Sequence, residues 1–327
     1  MLVAAAASAQ VRVATWHGDF SEKGPGLLLR ELLRGKVDIA PILTAAPDVL
    51  LLTRFDFDAS HAALAALQII LAEGGLDLPH AFSKRPNTGW QTGADLDGDG
   101  RLGGPRDAQG YGWFSGQGGM AVLSRYPITL ERDLSGLLWR DAPHSLMTAQ
   151  DTAPEIQRLS SVAHWLLRLD TPDGPIRLMT LAATPPVFDG PEDRNGRRNH
   201  DEVMLWAHVL NGKLGETPAG PVIVAGLMNI DPTAGEGLRQ AIKTVLGHPG
   251  LQDPLPDRAT VTWDSTGPMR VSYVLPDRQL RITDAGVVPP LPETEHGQHA
   301  LVWVDVTPPD RKTPRRGDGA LQVSVNQ

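Results

Sequence analysis

The stretch "PVIVAGLMNIDP" (221–232) decides how the rest of the chain is read. Its first half, "PVIVA", is an unbroken apolar run of strand length, as expected of a strand covered on both faces. Gly226 ends the run and opens a tight loop that Pro232 closes. Loops carried on rigid strands are where binding and catalytic groups concentrate, and acids that hold metals often sit there. Here the residue after the glycine is Leu227, a hydrocarbon, and the first polar side chain is Asn229.

Outward from this segment, similar apolar runs recur: "VRVATW" (11–16), "DVLLLT" (48–53), "MAVLSR" (120–125), "HWLLRLD" (164–170), "IRLMTLA" (176–182), "MRVSYVL" (269–275) and "ALVWVDV" (300–306). Helical patterns lie between them. "PGLLLRELLRG" (25–35) runs from Pro to Gly, and "SHAALAALQIILAEGG" (60–75) has Ser60 in N-cap position. "HDEVMLWAHVLNG" (200–212) has acids in its first turn, and "EGLRQAIKTVLG" (236–247) ends at glycine. Such alternation predicts a layered α/β chain over residues 11–307. Two segments rich in Gly, Pro and Asp, 84–118 and 184–200, are long enough to be functional loops.

The 327 residues are 41% hydrophobic and 21% charged, enough for a sizeable core. A net charge of -8 argues against a broad nucleic-acid-binding surface, and the absence of cysteine excludes disulfides and thiolate metal sites. No run of about 20 apolar residues occurs, so no membrane span is expected. Ala7-Ser8-Ala9 before Gln10 has the small-x-small form of a signal-peptidase site. Residues 1–10 are therefore read as a signal remnant or loose terminus, which implies export to the periplasm or medium. Residues 308–327 read as a polar, mobile tail.

Seven landmarks follow in order: "VRVATWHG", "PDVLLLTRFD", "TGADLDGDGRLGG…YGWFSGQGGMAVLSRYPI", "ATPPVFDGPEDRNGRRNHDE", "PVIVAGLMNIDP", "MRVSYVLPD" and "GQHALVWVDV". In this order they resemble the endonuclease/exonuclease/phosphatase superfamily of metal-dependent nucleases and phosphodiesterases, most closely a bacterial secreted subgroup. The resemblance implies a four-layer α/β sandwich: two mixed β-sheets packed face to face, with helices on both outer sides. It also implies a divalent metal held by a Glu and an Asn, an Asp that orients water, and a His–Asp pair facing the phosphate.

This chain departs from that pattern almost everywhere. His17 stands where the family has Asn, and Thr53-Arg54 where it has Gln-Glu. The phosphate-contacting His is Ala182, and the loop Asp is Leu227, although Asn229 survives. The family's Asp-Tyr is Ser272-Tyr273, and only His299 remains of its final Ser-Asp-His, behind Gly297-Gln298. An arginine in place of the main metal carboxylate adds a fixed positive charge, because guanidinium does not deprotonate. The expectation is a pseudoenzyme that binds or scaffolds through the old phosphate cleft, without catalytic Mg²⁺. The competing expectation is an active phosphoester hydrolase whose metal site is rebuilt from His17, Asn229 and His299.

Two further sites are expected. Asp95, Asp97 and Asp99 form the first half of a calcium loop, although Arg106 occupies the place of the bidentate Glu and Asp107 would have to substitute for it. In the segment from Asp189 to Glu202, Asn199 is expected to cap a helix. Arg54 with Arg194 or Arg198 would bind a phosphorylated or other anionic small molecule without metal. The alternative is that Arg54 pairs with a leftover acid, Asp231 or Glu202.

Overall fold

A computed structural model describes residues 10–290 and 298–307. Most of the signal segment, Gly297 and the tail lie outside the described residues. The chain begins with β1 (Val11–Trp16), α1 (Leu27–Leu33), α2 (Ala40–Ala45), β2 (Val49–Phe55), α3 (Ala62–Glu73) and β3 (His80–Phe82). A long insertion then leads to β4 (Gly119–Ser124), β5 (Ile128–Asp133), β6 (His164–Thr171) and β7 (Gly174–Ala182). Next come α4 (Arg194–Leu210), β8 (Val222–Leu227) and α5 (Gln240–Leu246). The chain closes with β9 (Val261–Trp263), β10 (Gly267–Met269), β11 (Ser272–Pro276), β12 (Arg281–Val288) and β13 (Leu301–Thr307).

Side chains alternate across a strand, and this alternation sorts the core into layers. Val11, Val13, Val49, Leu51, Met120 and Val122 meet Leu167, Leu169, Ile176, Leu178, Ile223 and Ala225 in one buried cluster. Their neighbours Ala14, Trp16, Leu50, Leu52, Ala121 and Leu123 face the other way, onto Leu28, Leu32, Ile42, Leu64 and Leu67 of α1–α3. On the second sheet Leu166, Met179, Leu181, Val222 and Val224 pack under Val203, Trp206, Ala241, Ile242 and Val245 of α4 and α5. The result is helix, sheet, sheet, helix. Both sheets are mixed. One has the order β12-β13-β1-β2-β4-β3 and the other β11-β8-β7-β6-β5. Only β1–β2 and β7–β8 run parallel, and they place the ends of four strands along one side of the sandwich.

Gly226, at the end of β8, is required by close approach. Its φ is +142°, and a Cβ there would lie 1.9 Å from the carbonyl oxygen of Leu181 on the parallel neighbour. Side chains of this strand end therefore cannot be shifted without parting β7 from β8.

Three local expectations are corrected. The run 269–275 is two strands, split at Arg270-Val271, because this backbone serves the 228–231 loop. The Arg270 amide donates to Asp231, and the Val271 carbonyl accepts from the amides of Met228 and Asn229. The helix after Ser60 is capped by Asp58, whose carboxylate accepts the amides of Ala62 and Ala63. Finally, α4 begins at Arg194, so Asn199 is an interior, fully buried residue and caps nothing. Its Nδ2 instead donates to the carbonyls of Thr184 and Met228, tying the helix to the loops after β7 and β8.

Candidate functional site

A cleft of about 970 Å³ opens where these strand ends meet. β1 and β2 bring His17 and Thr53 to it, and β7 and β8 bring Ala182, Leu227 and Asn229. The insertion before β4 supplies Leu96, Asp97, Arg106 and Tyr111 along the wall. The segment from Thr184 through the first turns of α4 supplies Phe188, Asp189, Glu192, Arg194 and Arg198.

At the base, the rings of His17 and His299 lie 4.6 Å apart, centre to centre. His17 Nδ1 is 3.1 Å from the Thr53 hydroxyl, while the buried Nδ1 of His299 has no hydrogen-bond partner. Trp263 packs edge-on against His299, and the Trp16 indole N–H donates to the His299 carbonyl. Burial, and then the positive charge of Arg54, pull His299 down to about 4. His17 is also driven well below the usual imidazole range, by burial first and then by His299 and Arg54. Both rings are neutral at physiological pH.

Arg54 pairs with neither of the acids expected for it. Asp231 accepts the amides of Thr233, Ala234 and Arg270, and buried Glu202 accepts from Ser161 and from the Thr184 amide. Its partner is Asp19, 3.5 Å away in the loop after β1, with both side chains more than a third exposed. The same charge eases the carboxyl of buried Asp56, which desolvation nonetheless raises.

The remaining expected residues are mostly engaged in structure. Leu227 and Ala182 are 4% and 1% exposed and belong to the core between the sheets. Asn229 adopts φ +53° and donates its Nδ2 to the Ala183 carbonyl at 2.7 Å, as a turn residue does. Arg198 is buried and donates to the carbonyls of Leu159, Gln109 and Arg158, and desolvation lowers it to about 10. Arg194 differs from it. Its only hydrogen bond is to the Gln157 side chain, no carboxylate lies within ion-pair distance among the described residues, and burial lowers its pKa.

The acidic turn of the insertion does converge: one oxygen each from Asp95, Asp97 and Asp99 falls within 4.8 Å of the others. Asp95 already accepts the amides of Gly98 and Gly100. Asp107 is not a substitute for the missing glutamate. It is 2% exposed, and its two oxygens accept the amides of Leu96 and Gly104, which closes the loop from inside.

With this geometry in place, likeness to known proteins becomes interpretable. A profile described as the Endonuclease/Exonuclease/phosphatase family matches residues 22–304, most of the chain. The chain belongs to this family. The endonuclease/exonuclease/phosphatase from Beutenbergia cavernae superposes with a TM-score of 0.58 at 19% identity, over 92% of this chain and 72% of that one. The human Nocturnin catalytic domain with bound sulfate anion gives 0.50 at 16%, covering 91% and 93% of the two chains. The Neisseria 3′ phosphatase NExo bound to a product DNA hairpin gives 0.50 at 15%, covering 90% and 98%. At these identities the likeness establishes the fold. No curated protein sequence matches the chain.

Members of this family are expected to hold a divalent metal at the base of the cleft, and the donors present do not fit one. Two neutral imidazoles, an amide already committed to Ala183 and the guanidinium of Arg54 replace an oxygen-rich, carboxylate-bearing set. Among the described residues, the group of acids close enough to share an ion is the exposed one at 95–99. The resemblance implied departures at 54, 182 and 227. It did not show Asp19 as the counter-ion of Arg54, or Tyr111 and Phe188 at the cleft wall, because nothing in a loop sequence tells which residues face the cleft.

Proposed function

We propose that this family member is a non-catalytic binding protein that takes an anionic or phosphorylated small molecule in the inherited cleft. The observation that carries this reading is the Arg54–Asp19 pair at the position of the metal carboxylate, beside hydrocarbon at Ala182 and Leu227. Loss of one general base or one oxyanion donor typically costs about 10²–10⁴ in rate. Such losses are not additive, but together they remove the carboxylates that would hold a metal and orient water and the His–Asp pair that would face the phosphate. Arg194, which has no carboxylate within ion-pair distance among the described residues although Asp151, Asp189 and Glu192 favour its charge, supplies the positive charge for the ligand. The test is turnover of bis(p-nitrophenyl) phosphate, p-nitrophenyl phosphate and DNA with Mg²⁺, Mn²⁺ or Ca²⁺. No release above the blank is expected, and turnover lost in His299→Ala or Asn229→Ala would overturn the reading.

The 4.6 Å contact of His17 and His299 favours a second reading, a hydrolase with a rebuilt transition-metal site that includes Asn229. Arg54 opposes it electrostatically. Elemental analysis of purified protein decides: a stoichiometric ion lost in His17→Ala supports the hydrolase, and a metal-free protein removes it.

Two smaller proposals stand beside these. A structural Ca²⁺ at Asp95, Asp97 and Asp99 would give calorimetric heat that Asp97→Ala abolishes; absence of heat removes it. Export would show as a mature chain beginning near Gln10 in periplasmic or culture fractions, and a chain retaining Met1 in the cytoplasm contradicts it.

A further inference from the structure

Six large apolar side chains are strongly exposed among the described residues. Four of them, Leu102, Tyr111, Trp113 and Phe188, lie on the two loop segments that border the cleft, and Tyr111 and Phe188 line it. Phe188 is costly to the fold in two independent ways. Its ring is 80% exposed, and its backbone holds φ +73°. A bulky residue is strained in a left-handed conformation that glycine adopts freely. Phe188 contributes to none of the core clusters, so packing does not repay that cost. Strain of this kind, at a ligand-facing loop, is an observation from which function is inferred.

The rest of the cleft narrows the ligand. Its floor carries hydrocarbon at Ala182, Ala183, Leu227 and Val162 beside His17, Thr53 and Asn229, which offers contact to an apolar body. Its charges balance: Arg106, Arg194 and Arg198 face Asp97, Asp189 and Glu192. Of the acids, Asp189 accepts the Asn195 amide and Glu192 the Gly190 amide, and Arg198 is consumed by carbonyls. A balanced wall offers no net attraction to a polyanion such as nucleic acid, which needs many phosphates neutralised. It accommodates one anionic group at Arg194. The volume suits a compact organic ligand.

We propose that the cleft binds an aromatic-ring anion, with its ring packed on Tyr111 and Phe188 and its single anionic group paired to Arg194. This assignment rests on the non-catalytic reading above and specifies its ligand. Aromatic pairs contribute about 0.5–1.5 kcal/mol beyond area burial, so the ring is expected to be worth about tenfold in affinity. The anionic group is a carboxylate or a phosphate, which share the guanidinium-pairing chemistry.

Calorimetry with 1-naphthoate, AMP, acetate, inorganic phosphate and neutral 1-naphthalenemethanol tests it. At least one ring-bearing anion should bind about tenfold tighter than acetate, phosphate and the neutral ring. The order of naphthoate and AMP identifies the carboxylate or the phosphate as the natural source. Phe188→Ala and Tyr111→Ala should each lose about tenfold, and Arg194→Met should erase the preference for the charged ring. Phe188→Gly separates ligand from fold, since it should raise Tm while weakening binding; a merely structural Phe188 would do neither. Ringless anions binding equally well, unchanged affinity in Phe188→Ala, or no binding of any probe at millimolar concentration would overturn the proposal. Release of phosphate from AMP, followed in the same samples, would instead overturn the non-catalytic reading.

Discussion

Leu227 stands where the family resemblance implies an acid. It is 4% exposed and packed between the sheets, so restoring an acid there is no longer a small change. Leu227→Asp is expected to destabilise the fold by about 3 kcal/mol or more at pH 7, because an unpaired buried carboxylate keeps its desolvation penalty. Burial raises the pKa of that acid, so the penalty should shrink as pH falls and the group protonates; urea unfolding of the variant at pH 7 and pH 5 measures both effects. In the double variant Arg54→Glu with Leu227→Asp, Mn²⁺ should raise Tm where it leaves the parent unchanged. A parent already stabilised by Mn²⁺ would contradict the account of Arg54. The sequence implied these departures through the resemblance, since each puts a group that cannot serve where a donor is expected. Asp19 was not legible, because a counter-ion is a fact of three-dimensional proximity.

Strands and helices were legible where burial is two-sided. The runs at β1, β2, β4, β6, β7, β8 and β13 are apolar on both faces because helices cover one side and the opposite sheet the other. Two edge strands were missed: β5 alternates half-buried and exposed residues, and β12 is mostly polar or half-exposed, so neither carries a continuous apolar signal. The start of α4 was misplaced because its first turns are rich in arginine and asparagine that work inside the structure. Arg198→Met should cost about 2–4 kcal/mol, since it leaves three loop carbonyls without their donor. Gly226→Ala should cost at least about 3 kcal/mol by forcing a methyl against the Leu181 carbonyl. Thermal unfolding of both variants checks these values, and a Gly226→Ala protein of unchanged Tm would show that β7 and β8 can separate freely.

At the level of the whole molecule, buried histidines set the response to acid. His164 is fully buried, bonded to Ser160 and to the Glu202 carbonyl, and desolvation lowers it to about 4 from an ordinary 6.5. His17, His208, His248 and His299 are lowered as well, each chiefly by burial. A depressed imidazole stays neutral in the fold while the unfolded chain takes up a proton, so stability falls as pH drops from about 6.5 toward 4. For His164 alone the full effect is about 3 kcal/mol. Glu202 acts oppositely: burial raises its pKa, so its contribution is fullest below about 4.5 and is lost as pH rises through the raised folded value. Tm should therefore decline below pH 6.5, and His164→Gln should flatten the decline; an unchanged slope would contradict it. None of this could be read from ten scattered histidines, because burial comes from the packing of the sheets.

The Arg54–Asp19 pair has a consequence for where and when the protein can work. A metal enzyme depends on the ion its surroundings supply, and chelators or competing ions can silence it. A guanidinium is covalently part of the chain, does not exchange and does not titrate in any physiological range. The charge at this position is thus independent of metal supply, and on the non-catalytic reading ligand affinity should be the same in EDTA as in millimolar Mg²⁺. On the non-catalytic reading, the cleft would stay competent in surroundings where divalent ions fluctuate.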